Sequence, residues 1–165
     1  MKFEPFEYNL KNKIVPMAQS ILIRHGNHIP TIFTYDKNGI EHISDLSELF
    51  SIRSKDLIYE ILENFLDESG TLAFILVTEA WFRKVDKDDE DALKESLEGS
   101  KRISEYDDKE EFITFQWSFK SNGVRSGVIT YPFENVDGNI IIDYDNTQLL
   151  DDDEFSMSRA SKLLK

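Results

Sequence analysis

The chain has 165 residues, of which 40% are apolar, so it can bury one sizeable hydrophobic core but hardly two. It has no cysteine, which excludes disulfides and thiolate metal sites. A formal charge of −13, from 32 acidic and 19 basic residues, disfavours nucleic acid and anionic membranes as partners and favours a basic protein.

Two further features of the composition bear on the class of protein. No run of residues approaches the ~20 apolar positions of a membrane span, and the first residues carry no apolar leader segment. We therefore expect a cytoplasmic protein that does not associate with membranes. The negative charge has two explanations: the ordinary solubility of an acidic protein, or an acidic face that meets a basic partner.

The first third of the chain predicts a helix followed by a hairpin. Apolar residues at helical spacing predict an amphipathic helix over residues 7–25, and Pro16 either begins this helix or kinks it. Gly26 is expected to cap the helix in the left-handed conformation. Residues 30–35 and 40–43 have strand patterns, and Asn38-Gly39 between them is a strong hairpin signal.

The middle of the chain predicts a helix and a central strand. Ser54 is a suitable N-cap for an amphipathic helix over residues 55–67. The run TLAFILVTEAWF, residues 71–82, is the longest apolar stretch and predicts a strand that is buried on both faces. Residues 83–111 follow with twelve acidic residues and few apolar ones. We expect a charged, mobile excursion there, with a short helix over residues 91–99 as an option.

The remainder of the chain predicts strands and an acidic tail. Residues 112–119 alternate between apolar and polar types, which predicts a half-buried strand. Residues 124–133 are its expected hairpin partner, with Gly127 at a bulge, and residues 140–144 are a final strand. An acidic tail is expected from Asp145. The pattern as a whole predicts a single α+β domain over residues 1–165, with an antiparallel or mixed sheet and helices mainly on one face.

Several short motifs resemble a group of small uncharacterised bacterial and phage proteins. The first part of the resemblance is a helix ending in His25-Gly26, then Ile29-Pro30 and Asp36-x-x-Gly39. The second is a strand ending in Thr78-Glu79-Ala80-Trp81, followed by a turn with Ser104 and Asp107 and a strand that starts with Glu110-Glu111. Lys109 stands where the group usually has Arg. The resemblance covers most of residues 15–133 and implies a shared α+β fold, without implying an activity.

Glu79 is the candidate catalytic residue because it interrupts the buried run next to Trp81. A carboxylate desolvated beside an aromatic ring has a raised pKa and can act as a general acid or base. The alternative is that strand alternation turns Glu79 toward solvent, or that an arginine pairs with it. Together with His28 or His42, and with metal assistance as an option, Glu79 would serve a small hydrolase or a nucleotide-acting enzyme.

His25 and His28 are the candidate metal ligands. Their spacing would suit one face of a helix, but Gly26 and Pro30 indicate that the helix has ended before His28. We therefore expect neither a bound metal nor a cofactor, and no nucleophilic or phosphate-binding motif occurs elsewhere in the sequence.

The candidate binding residues belong to the acidic excursion and to the aromatic residue before it. They are Trp81, Asp86, Asp88, Asp89, Glu90 and Asp91. Solvated charge is the alternative explanation for the acidic ones. The favoured hypothesis is a non-catalytic interaction module, of the inhibitor, immunity or host-interaction type, that docks on a basic protein surface. A homo-oligomer formed by pairing of edge strands is the third option.

Overall fold

The computed structural model describes residues 1–82, 88–98, 107, 109–150 and 163–164. The helices are α1 (Phe3–Asn9), α2 (Val15–His25), α3 (Ser47–Phe50), α4 (Lys55–Glu68) and α5 (Glu90–Glu98), and a π-helical turn, Leu10–Ile14, joins α1 to α2. The strands are β1 (Thr31–Tyr35), β2 (Glu41–Asp45), β3 (Ala73–Phe82), β4 (Glu110–Lys120), β5 (Val124–Val136), β6 (Asn139–Ile142) and β7 (Gln148–Leu150).

The strands form one curled antiparallel sheet, which confirms the α+β class. The order is β2-β1-β3-β4-β5-β6, and β7 pairs with β5 beside β6. Strand β3 lies within the apolar run over residues 71–82 and has a neighbouring strand on each side. β1 pairs with the first half of β3, and β4 pairs with its whole length. This confirms the expected central strand, which is long and apolar because both of its faces are covered.

The N-terminal helix begins earlier than the sequence pattern predicts and continues without a break past Pro16. The proline lies at the start of α2, directly after the π-helical turn, in which the Val15 N–H donates to the Leu10 carbonyl. Proline lacks an N–H and clashes with the carbonyl four residues before it, so a wider turn at this point accommodates it. The helix ends as predicted, with Gly26 in the left-handed conformation (φ 77°).

The π-helical turn also keeps the apolar face of this helix in line. The buried residues are spaced by about four: Phe6, Leu10, Ile14, Ala18 and Leu22. Such a spacing drifts around a regular α-helix by about 40° per step, because each residue turns the chain by about 100°. A π-helical turn amounts to one extra residue in the helix and cancels most of that drift. The face therefore stays on the sheet from end to end.

Helices cover both faces of the sheet, whereas the sequence pattern led us to expect them mainly on one. On the first face, the N-terminal helix packs on alternate strand residues such as Ile75 and Phe115. On the second face, α4 and the buried Leu163 and Leu164 pack with Phe74 and other residues of opposite parity. The sheet needs this double cover because successive apolar residues of β3 point to opposite faces.

The polar side of β4 is buried as well. Thr78 and Thr114 share a hydrogen bond of 2.8 Å between their hydroxyls, and Ser118 and Ser126 share one of 2.7 Å. All four side chains lie on the second face, and these bonds satisfy hydroxyl groups that lack access to water. The alternation in β4 therefore does not separate a buried face from a solvated one, as a half-buried strand would.

Gly127 sits in regular register rather than at the expected bulge. It pairs directly with Trp117 across β4 and β5, and a Cβ at this position would lie 2.6 Å from Trp117 Cζ2. The glycine therefore leaves space for the indole ring, which packs against Phe3 and Phe6 of α1.

The predicted hairpin between β1 and β2 and the helix capped by Ser54 are both present. No helix within the described part of the chain is long and apolar enough to cross a membrane.

Candidate functional site

An acidic groove of about 910 Å³ lies at one end of the sheet. Among the residues that the structure describes, six carboxylate side chains line it: Asp107, Glu110, Glu111, Glu134, Asp143 and Asp145. Among the described residues that line the groove there is one lysine, Lys109, and the neutral polar groups include Asn135 and Asn146. Like charges gathered on a concave wall reinforce one another's field, so these side chains give the groove a negative potential.

Three segments that are distant in sequence build the groove. They are the start of β4, the end of β5 and the loop between β6 and β7. They meet because β4 and β5 pair antiparallel, which sets Glu111 opposite Phe133, and because the Asp143 N–H donates to the Pro132 carbonyl. The antiparallel register thus brings the start of one strand to the end of the next.

The loop between β6 and β7 is held in shape by the carboxylate of Asp143. This carboxylate accepts hydrogen bonds from the backbone N–H groups of Asp145 and Asn146 and, at 2.6 Å, from the Asn146 side chain. The Asn146 side chain is the main cause of the lowered pKa of Asp143. Tyr144 packs edge-on against Tyr131 at 6.2 Å between ring centroids. Asp145 is therefore presented to the groove from an ordered turn.

Trp81 and Glu79 lie on the first face of the sheet, next to this groove. The Trp81 indole N–H donates to Glu111 Oε1 at 3.2 Å, and Glu111 lines the groove. Trp81 is 42% exposed, so part of its side chain is open to a ligand or partner. Glu79 shares the face of Val77 rather than turning to the other side, and its carboxylate accepts the His28 backbone N–H at 2.6 Å.

Glu79 is in an environment that favours its protonated form. Partial burial is the main cause of its raised pKa, and the negative charge of Glu111 raises the pKa further. The hydrogen bond from the His28 backbone acts in the opposite direction because it stabilises the carboxylate. Glu79 and Glu111 are diagonal neighbours on adjacent strands, so the two carboxylates are close enough to influence each other.

The structure separates the three histidines. His25 is exposed in the last turn of α2. His28 is buried, and its Nδ1–H donates to the Ile29 carbonyl at 2.8 Å. Burial is the main cause of the lowered pKa of His28 and favours the neutral ring. Within the described ranges, no group of three His, Asp or Glu side chains is arranged to hold a metal ion.

His42 does not approach Glu79. It is exposed on β2 opposite Thr34, which in turn pairs with Phe74 of β3. Phe74 lies five residues before Glu79, so the two positions are about 16 Å apart along the strand direction. The backbone of His28 contacts Glu79, but its ring is engaged elsewhere. Glu111 is the ionisable side chain whose charge acts on Glu79 in this part of the structure.

Most of the acidic segment singled out in the sequence lies apart from the groove. Asp88, Asp89, Glu90 and Asp91 are exposed at the start of α5 and line a shallow depression of their own. Asp89 caps that helix by accepting the Ala92 N–H at 3.0 Å. Residues 83–87, with Asp86 among them, and residues 99–106 and 108 of the expected excursion over residues 83–111 fall outside the described part of the chain. Helix α5 confirms the short helix predicted within it.

Sequence reasoning missed the carboxylates of the groove. The sequence pattern places Asp143 in the expected strand over residues 140–144 and Asp145 at the start of the expected acidic tail. It places Glu110 and Glu111 at the end of the charged excursion over residues 83–111, and Glu134 directly after the strand over residues 124–133. Each segment contributes one to three carboxylates to the groove lining, and nothing local in the sequence marks them as members of one surface. Their common feature in the sequence is that each flanks a predicted strand end. The one useful signal was the predicted hairpin of β4 and β5, because its antiparallel pairing brings the start of β4 next to the end of β5.

Comparisons with family models, with curated proteins and with solved structures found no match to this chain.

Proposed function

We propose that this protein is a non-catalytic interaction module that docks a basic protein surface in its acidic groove. The observation that carries the proposal is the convergence of six carboxylates from three segments on one concave surface. A groove of this charge attracts lysine and arginine side chains and raises the rate at which a basic partner associates.

Trp81 gives the groove an aromatic neighbour. Tryptophan is enriched among the residues that contribute most to binding, since its large ring buries much apolar area at a small cost in side-chain entropy. The hydrogen bond to Glu111 holds the Trp81 ring next to the groove. A partner that places a basic residue in the groove can therefore cover the Trp81 ring at the same time.

The test is retention of basic proteins on immobilised protein at rising salt, read by mass spectrometry. The groove variant is Glu134→Lys with Asp145→Lys, since both side chains are exposed and line the groove. The matched control is Glu48→Lys with Asp67→Lys, which changes the net charge equally at exposed helix positions outside the groove.

We expect the wild type and the control to retain the same basic proteins and to release them as salt screens the charges. The groove variant should lose them. Equal retention by the groove variant and the control would show that net charge, rather than the groove, attracts the partner, and the proposal would fail.

The second candidate is a small hydrolase or nucleotide-acting enzyme in which Glu79 acts as a general acid. The raised pKa of Glu79 beside a second carboxylate, Glu111, favours it. The test is turnover of chromogenic phosphate and carboxylate esters by wild type and by Glu79→Gln. Catalysis requires that this substitution abolish turnover while the variant remains folded at the pH of the assay. Absence of turnover by the wild-type protein on these esters would count against this second candidate and favour the interaction module.

A further inference from the structure

One flank of α4 carries an exposed apolar row that the hydrophobic core does not use. Leu57, Ile61 and Phe65 occupy successive turns of the helix and are 44%, 38% and 40% exposed. The residues that follow each of them pack against the sheet: Ile58, Leu62 and Leu66. At about 100° per residue, the exposed side chains form a continuous stripe beside the buried one. Single exposed apolar residues are ordinary, but a contiguous stripe is typical of an interaction surface.

The chain's own C-terminal leucines lie on the other flank of this helix. Leu163 and Leu164 line a cavity of about 140 Å³ together with Glu63 and Leu66. Glu63 is two residues after Ile61 and therefore projects from nearly the opposite side of α4. The exposed row is thus separate from the contact that these buried leucines make.

The charges around the row indicate what kind of partner fits it. Exposed Glu60 and Glu68 border the row on its solvent side, and α4 as a whole has five acidic residues and one basic residue. A second copy of this chain would bring two such acidic borders together, on molecules that each carry a formal charge of −13. Self-association through this face is therefore disfavoured. A partner whose apolar surface is flanked by Lys or Arg would have a charge complementary to this acidic border.

We propose that Leu57, Ile61 and Phe65 bind an amphipathic helix of a partner protein whose apolar stripe is flanked by basic residues. A stripe that spans two turns of α4 suits a helix that packs side by side with it, with side chains spaced at three and four residues. The row shares no residue with the acidic groove, so this surface goes beyond the proposed function.

The test measures binding of a fluorescein-labelled helical peptide of leucine and lysine, about 18 residues or five turns long, by fluorescence anisotropy. The variant is the triple Leu57→Gln, Ile61→Gln and Phe65→Gln. The matched control places three glutamines at exposed apolar positions of the N-terminal helix, Tyr8, Met17 and Ile23, which are 62%, 41% and 47% exposed. We expect the α4 variant to bind about tenfold or more weakly, and the control to bind as the wild type does.

Three results would overturn the proposal. One is equal weakening in both triple variants. Another is equally tight binding of a control peptide that has the same composition but a scrambled order of leucine and lysine, and therefore no apolar stripe. The third is a concentration-dependent dimer in sedimentation equilibrium that the α4 variant abolishes, since this would assign the row to a second copy.

Hydrogen exchange of the wild-type protein tests the same surface without any substitution in α4. The helical peptide should protect α4 and leave the exchange of α1 and α2 unchanged, and protection elsewhere without protection of α4 contradicts the proposal. The groove variant Glu134→Lys with Asp145→Lys should still bind this peptide. Failure of the groove proposal and failure of this one are therefore distinguishable.

Discussion

At the scale of single residues, Glu79 shows how a carboxylate can be accommodated at the end of a buried strand. It keeps the face that alternation assigns to it and accepts the His28 backbone N–H at 2.6 Å. That bond ties the segment before β1 to the edge of the core. Burial and Glu111 nevertheless raise its pKa above the usual 4.5, so the folded state binds this proton more tightly than the unfolded state does.

We predict a pH-dependent effect of Glu79→Gln on stability. A carboxyl whose pKa is raised by folding contributes its stability below the unfolded pKa and loses it as the pH rises through the folded pKa. Glutamine can accept the same hydrogen bond and does not ionise. The free energy of unfolding of Glu79→Gln, relative to wild type, should therefore increase as the pH rises from about 4 to 7, as measured by urea unfolding at each pH. A difference that is constant over this range contradicts the prediction.

At Gly127, the neighbouring indole ring of Trp117 leaves no space for a larger side chain. Alanine at this position would place its Cβ 2.6 Å from Trp117 Cζ2, so the indole must move within a packed aromatic cluster. We predict that Gly127→Ala lowers the free energy of unfolding by about 1–3 kcal/mol in chemical denaturation. In a Trp117→Leu background the same change should cost much less, and an equal cost in both backgrounds would show that the ring is not the reason.

At the scale of elements, the N-terminal helix contains a proline and has apolar residues at every fourth position. The π-helical turn accommodates the proline and also keeps these apolar residues on one face. Removing the exposed Lys13 converts this turn into an α-helical one while keeping the apolar residues on one face. Pro16 then sits inside a regular helix, at a cost of about 3 kcal/mol.

We therefore predict that deletion of Lys13 strongly destabilises the protein and that the same deletion is tolerated together with Pro16→Ala. Thermal unfolding of the four proteins in this cycle measures the coupling. A deletion of Asn64 from the regular helix α4 is the control, and it should be destabilising because no wider turn absorbs the change there. Equal costs of the Lys13 deletion with and without Pro16 would contradict our account of the turn.

At the scale of the whole molecule, the excess of acidic residues makes the folded chain repel itself. Salt screens this repulsion, so we predict that Tm rises when the ionic strength increases from about 0.01 M to 0.15 M at neutral pH. Near pH 4.6, the isoelectric point, the same addition should have a much smaller effect, because the net charge is then close to zero. A salt effect of the same size at both pH values would contradict the prediction.

The sequence by itself determined the local elements, because helix caps, strand alternation and turn residues act between neighbours in the chain. Ser54, Gly26 and the alternation of β4 each predict an element that the structure contains. Local pattern also sufficed for the α+β class. It did not show that the threonines and serines of β4 are covered, since burial of that face depends on what packs over it.

Only the tertiary structure decided the surfaces. The groove joins Glu111, Glu134 and Asp145, which come from separate segments and meet through strand register and a loop contact. The sequence drew attention to the dense acidic run at Asp88–Asp91 instead, because charge density along the chain is visible and charge density in space is not. The exposed row on α4 likewise depends on the tertiary structure. Six apolar residues predict a broad stripe, but the width of the sheet contact decides which three remain exposed.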